Sequence, residues 1–347
     1  MRPKRLPGGD TGRRSRLRVL VTGGAGYIGS HTAKKLAESG FEPVTLDNLS
    51  TGHRWAVQWG TFVQGDLADR ELLRQVLEKY RIEAVMHFAA SAYVGESMGN
   101  PRKYFANNIA NSLHLLEAMQ DTGVDRIVFS SSCATYGHPN SVPISENHVQ
   151  QPINPYGESK LFVERALHWY GQAYGVQWVS LRYFNAAGAD PEGELGEVHV
   201  PETHLVPLTI RAALEGSCLD IFGFDYPTPD GTAVRDFIHV MDLADAHVRA
   251  LQYLLDGERS RAFNLGSGEG RSILEIVETV ERVAGRPVPL RMTARRPGDP
   301  AVLVADSSSA AAVLRWQPRL SDPQIVVDTA LKWYARMNKV QALPAAH

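Results

Sequence analysis

Tyr156 and Lys160 stand four residues apart in Pro155-Tyr156-Gly157-Glu158-Ser159-Lys160, at the start of a segment of helical period that runs to about Tyr174. That spacing puts both side chains on one helix face. A free phenol, with a pKa of about 10, is a poor base at neutral pH, but a neighbouring ammonium favours the phenolate and lowers that value. Lys160 supplies such a charge. Upstream, the apolar run Arg126–Ser130 leads into Ser131 and Ser132, placing a hydroxyl at the carboxyl end of a strand, where open α/β sheets bind ligands. Ser132 could there orient a substrate oxygen. Taken alone, a Tyr-x-x-x-Lys pair is common, and the plain alternative is a packed tyrosine beside a solvated lysine.

A second constellation tips the balance. Thr22-Gly23-Gly24-Ala25-Gly26-Tyr27-Ile28-Gly29 follows a β-rich run directly and opens a helical segment with Leu36 on its inner face. Gly24 and Gly26 let the backbone turn tightly and approach a pyrophosphate, Gly29 lets helix and strand pack closely, and the helix N-terminus offers N–H groups to the phosphates. Asp47 lies eighteen residues beyond Gly29, at the end of the next strand. There an acidic side chain accepts hydrogen bonds from ribose hydroxyls and repels a 2′-phosphate, which favours NAD over NADP. The competing reading is a glycine-rich turn with a capping aspartate.

The elements that must position these groups alternate. Arg18–Thr22, Glu42–Leu46, Phe62–Gln64, Ala84–Phe88, Arg126–Ser130 and Val179–Tyr183 read as strands, with helical segments between them such as Asp69–Tyr80, whose Leu72, Leu73, Val76, Leu77 and Tyr80 share a face. The fold class expected is α/β: a Rossmann-type doubly wound parallel sheet with a smaller C-terminal α/β substrate-binding lobe. The expected boundaries are a disordered basic tail at 1–16, a dinucleotide-binding domain at 17–184 with a returning segment at about 236–266, and a lobe built from 185–235 and 267–340. A length of 347 residues allows about two domains of ~150 residues. With 44% hydrophobic and 21% charged residues and a formal net charge of -2, the composition is globular and gives no basic surface for nucleic acid. No apolar stretch suits a membrane span or a signal peptide. Two cysteines, Cys133 and Cys218, are too few and too far apart for a disulfide framework, so a cytoplasmic protein is expected. No group of residues shows metal-ligand spacing, so no metal is expected. His239 and Asp242 read as capping or backbone-satisfying groups ahead of a helix.

Taken together, the glycine turn, the Ser132 strand end and Tyr156-x-x-x-Lys160 resemble the extended short-chain dehydrogenase/reductase family. Leu46-Asp47-Asn48-Leu49, Gly65-Asp66, His87-Phe88-Ala89-Ala90, Val94-Gly95-Glu96-Ser97, Phe129–Ser132, Leu181–Asn185, Val234–Ala244 and Arg295-Arg296-Pro297-Gly298-Asp299 narrow the resemblance to its nucleotide-sugar 4-epimerase branch, over about Arg18 to Trp333. The resemblance implies reversible inversion at C4 of UDP-glucose and UDP-galactose through a 4-keto sugar, with a tightly held NAD regenerated at each turnover. It implies Tyr156 as base, Lys160 lowering its pKa, and Ser132 on the 4-oxygen. By the same resemblance, Gly23, Gly26, Tyr27, Ile28, Gly29, Asp47, Asn48, Asp66, Leu67, Phe88, Ala89, Asn107, Tyr156, Lys160 and Phe184 hold NAD. Ser132, Asn185, His204 or Leu205, Arg235 and Arg296 hold the UDP-sugar, with Asp299 close by and Leu303 bounding the sugar pocket. Two arginines suit a diphosphate, because a guanidinium fork matches phosphate oxygens bidentately. The family implies a homodimer through two helices per subunit, here around Pro101–Asp121 and Tyr156–Tyr174.

Three positions depart from the family pattern. Ala92 stands where some members have a lysine near the NAD phosphates, His204 where many have an asparagine, and Leu303 where a bulky tyrosine excludes N-acetylated sugars and a small residue admits them. Activity on UDP-N-acetylhexosamines, pentoses or uronic acids therefore stays open. A dehydratase would need Asp-Glu after the active-site hydroxyl, where this chain has Cys133-Ala134. A non-catalytic NAD-binding protein on the same fold would be expected to lack Tyr156 or Lys160.

Overall fold

The computed structural model describes residues 16–296 and 299–341; the expected basic tail, apart from Arg16, and Pro297-Gly298 lie outside the described residues. The first half alternates as β1 (Arg18–Thr22), α1 (Tyr27–Glu38), β2 (Glu42–Asp47), β3 (Thr61–Gln64), α2 (Arg70–Lys79) and β4 (Ala84–His87). Three short helices follow, α3 (Val94–Gly99), α4 (Pro101–Tyr104) and α5 (Asn111–Thr122), the last two joined by a π-helical turn at Phe105–Ala110. Then come β5 (Arg126–Ser132), α6 (Pro155–Tyr174) and β6 (Gln177–Tyr183).

In the second half, β7 (Asn185–Ala187), α7 (Leu205–Glu215), β8 (Leu219–Phe222), β9 (Val234–His239), α8 (Val240–Leu255) and β10 (Arg261–Leu265) precede β11 (Gly270–Ser272), α9 (Ile273–Ala284), β12 (Leu290–Thr293), β13 (Val302–Leu303), α10 (Ser308–Val313) and α11 (Pro323–Gln341).

Seven parallel strands form the main sheet in the order β10-β6-β5-β4-β1-β2-β3. The chain therefore reverses direction across the sheet between β1 and β4, which opens a crevice at their carboxyl ends. Val19, Leu20 and Val21 are wholly buried, because helices cover both faces of β1. One face packs on α1 and α8 through Leu36, Leu243 and Leu251. The other packs on α2, α5 and α6 through Leu73, Leu116 and Val163. Each such side chain contributes roughly 1.5–3 kcal/mol on burial.

α10 packs on the main core through Ala310, with Leu314 and Trp316 after it, so this part of the expected 267–340 lobe belongs to the main sheet. A smaller assembly forms around Ile210, Val280 and Val327 of α7, α9 and α11. Here β9 is the hub: β7 and β13 run parallel to it and β11 antiparallel. Ser272 starts α9 with a reciprocal capping box to Glu275, which satisfies two otherwise orphaned N–H groups. The strand at Arg261–Leu265 joins the main sheet as its edge, beside β6.

Two elements differ from the sequence expectation. β5 continues two residues past Ser130, because β6 offers a partner along its whole length and pairs Ser132 with Tyr183. The helix expected around Pro101–Asp121 is interrupted by the π-helical turn, a distortion frequent at functional sites. Leu116 and Met119 of this region point into the core rather than outward.

Candidate active site

Gly23 supplies the left-handed residue of the first turn, with φ +72°, and a Cβ there would lie 2.6 Å from the Ala89 backbone nitrogen. Glycine is thus required to bring the end of β1 against the end of β4. Gly29 is equally constrained, since its Cβ would strike the Gly23 carbonyl. α1 then begins at Tyr27 with Gly26 as N-cap and no side chain capping it, so Tyr27, Ile28 and Gly29 present their N–H groups to the crevice.

At the end of β2 the buried Asp47 accepts from the Ala25 N–H at 3.0 Å and the Leu49 N–H at 2.8 Å. Burial raises its pKa despite those donors. Each carboxylate oxygen retains accepting capacity. Asn48 donates to Asp66 at 2.7 Å, Asp66 also accepts from the Ala68 N–H, and Leu67 is buried beside them. Phe88 and Ala89 both donate backbone N–H groups to the Thr22 carbonyl, stitching β1 to the segment after β4. On the π-helical turn, Asn107 reaches the Ser91 hydroxyl at 3.2 Å. Its neighbour Asn108, not singled out from the sequence, holds Ser91 at both backbone groups and Ser159 of α6.

Asn154 caps α6 by accepting from the Gly157 N–H, and Pro155 occupies the first turn, so Tyr156 and Lys160 enter the site from the opening turns of a long helix. Ser132 closes β5, its hydroxyl accepting from the Ala134 N–H at 3.1 Å. The Lys160 ammonium donates to the Ser130 carbonyl at 2.7 Å and lies 5.8 Å from the Tyr156 ring centroid. Burial lowers the Lys160 pKa to about 7, against the opposing pull of Glu164. Burial raises that of Tyr156, helped by Tyr183 and countered by the Ser132 hydroxyl. Ser132, Tyr156 and Lys160 therefore meet at the carboxyl edge of the sheet. Beneath them Glu164 accepts from Ser131 at 2.5 Å and from Arg182 at 2.6 Å. Its place eight residues after Tyr156, on the same helix face, was the signal available in the sequence.

The remaining residues gather around β9. Asn185 donates to the Asp236 carbonyl at 3.1 Å. Arg235 is buried and pairs with Asp299 at 3.2 Å. Leu303 is the register partner of Arg235 and packs on the small cluster containing Phe184, Tyr136 and Ile144. Arg296 is exposed and stacks its guanidinium 3.9 Å from the Phe222 ring, while its carbonyl accepts from the Asp299 N–H. Leu205 begins α7 and packs on the second core. His204 turns its Nδ1 to Glu197 at 2.6 Å and Glu202 at 3.0 Å. His239 caps α8 through the Met241 N–H, and Asp242 accepts from Ser321.

Against the expectation of no metal-ligand spacing, Glu197, His199, Glu202 and His204 converge within 4.8 Å. The signal was Glu-x-His-x-x-Glu-x-His within eight residues. No regular element carries that spacing, because the four groups lie on the irregular segment between β7 and α7.

A Rossmann-type sheet with a glycine turn at its switch point, and a Ser, Tyr and Lys facing it, defines a nucleotide-binding protein of the dehydrogenase/reductase type. Residues 19–266 match the NAD dependent epimerase/dehydratase family, and the chain belongs to it. It is 51% identical over 324 residues to the UDP-glucose 4-epimerase of Rhizobium meliloti (strain 1021), covering 92% of this chain and 98% of that protein. The structure of UDP-glucose 4-epimerase from Brucella ovis in complex with NAD superimposes with a TM-score of 0.89 at 53% identity, over 91% of this chain and 97% of that one. That of Stenotrophomonas maltophila, with bound NAD and formylated UDP-arabinopyranose, gives 0.90 at 41% identity, over 94% and 100%. Among the described residues, no helix is long and apolar enough to cross a membrane.

Proposed function

We infer that the protein is an NAD-dependent UDP-sugar 4-epimerase, an isomerase that interconverts UDP-glucose and UDP-galactose. The observation that carries this reading is the convergence of Ser132, Tyr156 and Lys160 on the carboxyl edge of a sheet whose switch point is lined by the Gly23–Gly29 turn. The turn fits a dinucleotide: the Cβ-free cradle at Gly23, the uncapped N-terminus of α1 and the buried Asp47 carboxylate are what a pyrophosphate and a diol ribose require. We assign the binding of NAD to residues 17–184 with 236–266, and that of the nucleotide sugar to 185–235 and 267–340.

Bound NAD supplies a hydride acceptor and donor. Tyr156 takes the proton from the sugar 4-hydroxyl as C4 is oxidised, and returns it when the rotated ketone is reduced on its other face. Ser132 donates to the 4-oxygen in both directions, so that the developing charge meets a fixed donor. Lys160, held on the Ser130 carbonyl with its own pKa lowered to about 7, places positive charge behind the phenol when protonated and so opposes the burial that raises the Tyr156 pKa. Arg235 and Arg296 serve the diphosphate, with Asp299 orienting Arg235.

Leu303, next to Phe184, is of intermediate bulk, which supports hexose substrates and admits a second reading in which other UDP-sugars also turn over. A homodimer in the cytoplasm completes the proposal. Phe162 and Trp169 are seven residues apart on α6 and exposed, as is Phe105 on the adjoining turn, and an apolar face of this kind favours pairing of subunits.

The test is incubation of the purified chain with UDP-galactose, without added NAD, with UDP-glucose followed by chromatography beside a Tyr156→Phe control. Interconversion that collapses in the control supports the reading. Absence of UDP-glucose, with NAD supplied and bound, overturns the hexose assignment.

A further inference from the structure

Between β7 and α7 the chain carries four groups that take no part in the proton and hydride transfers proposed above. His199 Nδ1 lies 3.0 Å from Glu197 Oε1 and 3.7 Å from Glu202 Oε2, while His204 Nδ1 lies 2.6 Å from Glu197 Oε1 and 3.0 Å from Glu202 Oε1. Imidazole nitrogens and carboxylate oxygens thus alternate around one centre. A tetrahedral ion with bonds of about 2.0–2.1 Å has ligand-to-ligand edges of about 3.3 Å, within the spread seen here. We propose that Glu197, His199, Glu202 and His204 form a binding site for a divalent transition-metal ion of the zinc type.

The donor chemistry matches. Two carboxylates and two neutral imidazoles give a charge of -2, which one divalent ion neutralises, and mixed N/O sets of this kind suit zinc and its first-row neighbours. All four positions come from the protein, which is the closed arrangement of a structural site. Glu197 is almost fully buried, whereas the His204 ring is 44% exposed and leaves a path for the ion to enter. Two protons would neutralise the same cluster. Burial opposes the charged imidazole, but bonds to Glu197 and Glu202 outweigh it and raise His199 to about 9, and the attraction of Glu197 raises His204 to about 10. Metal binding must therefore displace protons.

What the ion would hold is visible around it. The His199 ring packs on Tyr27 and Tyr93, the titratable side chains facing the cluster from the glycine-turn helix and from the segment after β4. Tyr27 donates to the Gly188 carbonyl at 2.6 Å, His53 bonds the Val198 carbonyl and Tyr93 donates to that of Pro201. The site clamps the loop onto the dinucleotide turn and fixes the start of α7. It does not depend on which reaction the enzyme performs.

The experiment uses the untagged full chain, stripped with a chelator and titrated at neutral pH with Zn2+ and, separately, Co2+. Expected are ~1 saturating equivalent of zinc, visible bands of tetrahedral cobalt and release of protons on binding. His199→Ala and Glu202→Gln should each weaken binding by at least about 100-fold, since even outer partners of ligands cost 10–100-fold. If His199→Ala does not fold, the wild-type cobalt spectrum and Glu202→Gln decide. No saturation and no tetrahedral bands, or variants that bind like the wild type, would show a cluster held by protons alone.

Discussion

The Lys160 ammonium is anchored on the Ser130 carbonyl, 2.7 Å away, two residues before the hydroxyl of Ser132 on the same strand. One backbone therefore sets the lysine and the serine relative to each other, while α6 sets the lysine relative to Tyr156. Tyr156→Phe removes the hydroxyl proposed to exchange the proton, and kcat should fall by about 10²–10⁴-fold. Lys160→Met keeps the apolar stem and deletes the charge, and should cost at least about 100-fold in kcat. The conversion of UDP-galactose, read beside the melting temperature, checks both. A Lys160→Met enzyme with wild-type kcat would remove the lysine from the mechanism.

Gly23→Ala should lower the NAD retained through purification. The new methyl carries the strain of a positive φ and collides with the Ala89 nitrogen, forcing β1 and β4 apart at the proposed dinucleotide cradle. Gly40→Ala is the matched control, because Gly40 also has positive φ, at +88°, but opens into free space. Equal NAD content in the two variants would refute the close-approach argument.

Arg182→Met should destabilise the fold by about 3–5 kcal/mol, because it leaves the buried Glu164 carboxylate without its counter-charge. Replacing both partners, Arg182→Met with Glu164→Met, should recover most of that loss. Denaturant midpoints of the single and double variants measure the difference, and a double variant as unstable as the single would place the cost elsewhere.

Acid should destabilise the protein progressively below about pH 6.5, where an unfolded histidine, with a pKa of about 6.5, begins to bind a proton. Burial lowers His31 and His247 to about 4 and His87 and His239 to about 3. The unfolded chain then holds more protons than the native one, so the stability from these groups is complete above about pH 6.5 and is lost as pH falls toward their native values. His247→Phe keeps a ring against Phe88 and removes one titrating group, so its melting temperature should fall less steeply between neutrality and pH 5. An unchanged slope would exonerate His247.

Local rules wrote much of this molecule into its sequence. Apolar runs with intervening amphipathic segments determined the strands and helices, and therefore a parallel sheet with helices on both faces. A glycine turn between a strand and a helix, with an acid at the end of the next strand, determined a dinucleotide cradle, because those features depend on neighbours only a few residues away. Tyr156 and Lys160 were legible for the same reason. Only the tertiary structure decided what depends on distant segments meeting. Ser132 lies within β5 rather than beyond it because β6 pairs with it. Leu303 sits opposite Arg235 because a two-residue strand docks on β9. Leu116 and Met119 face α2 and the sheet, which leaves Phe105, Phe162 and Trp169 as the exposed apolar face. His204 turned to Glu197 and Glu202 because an irregular loop folds four polar groups together, and no periodicity in the sequence records a loop's path.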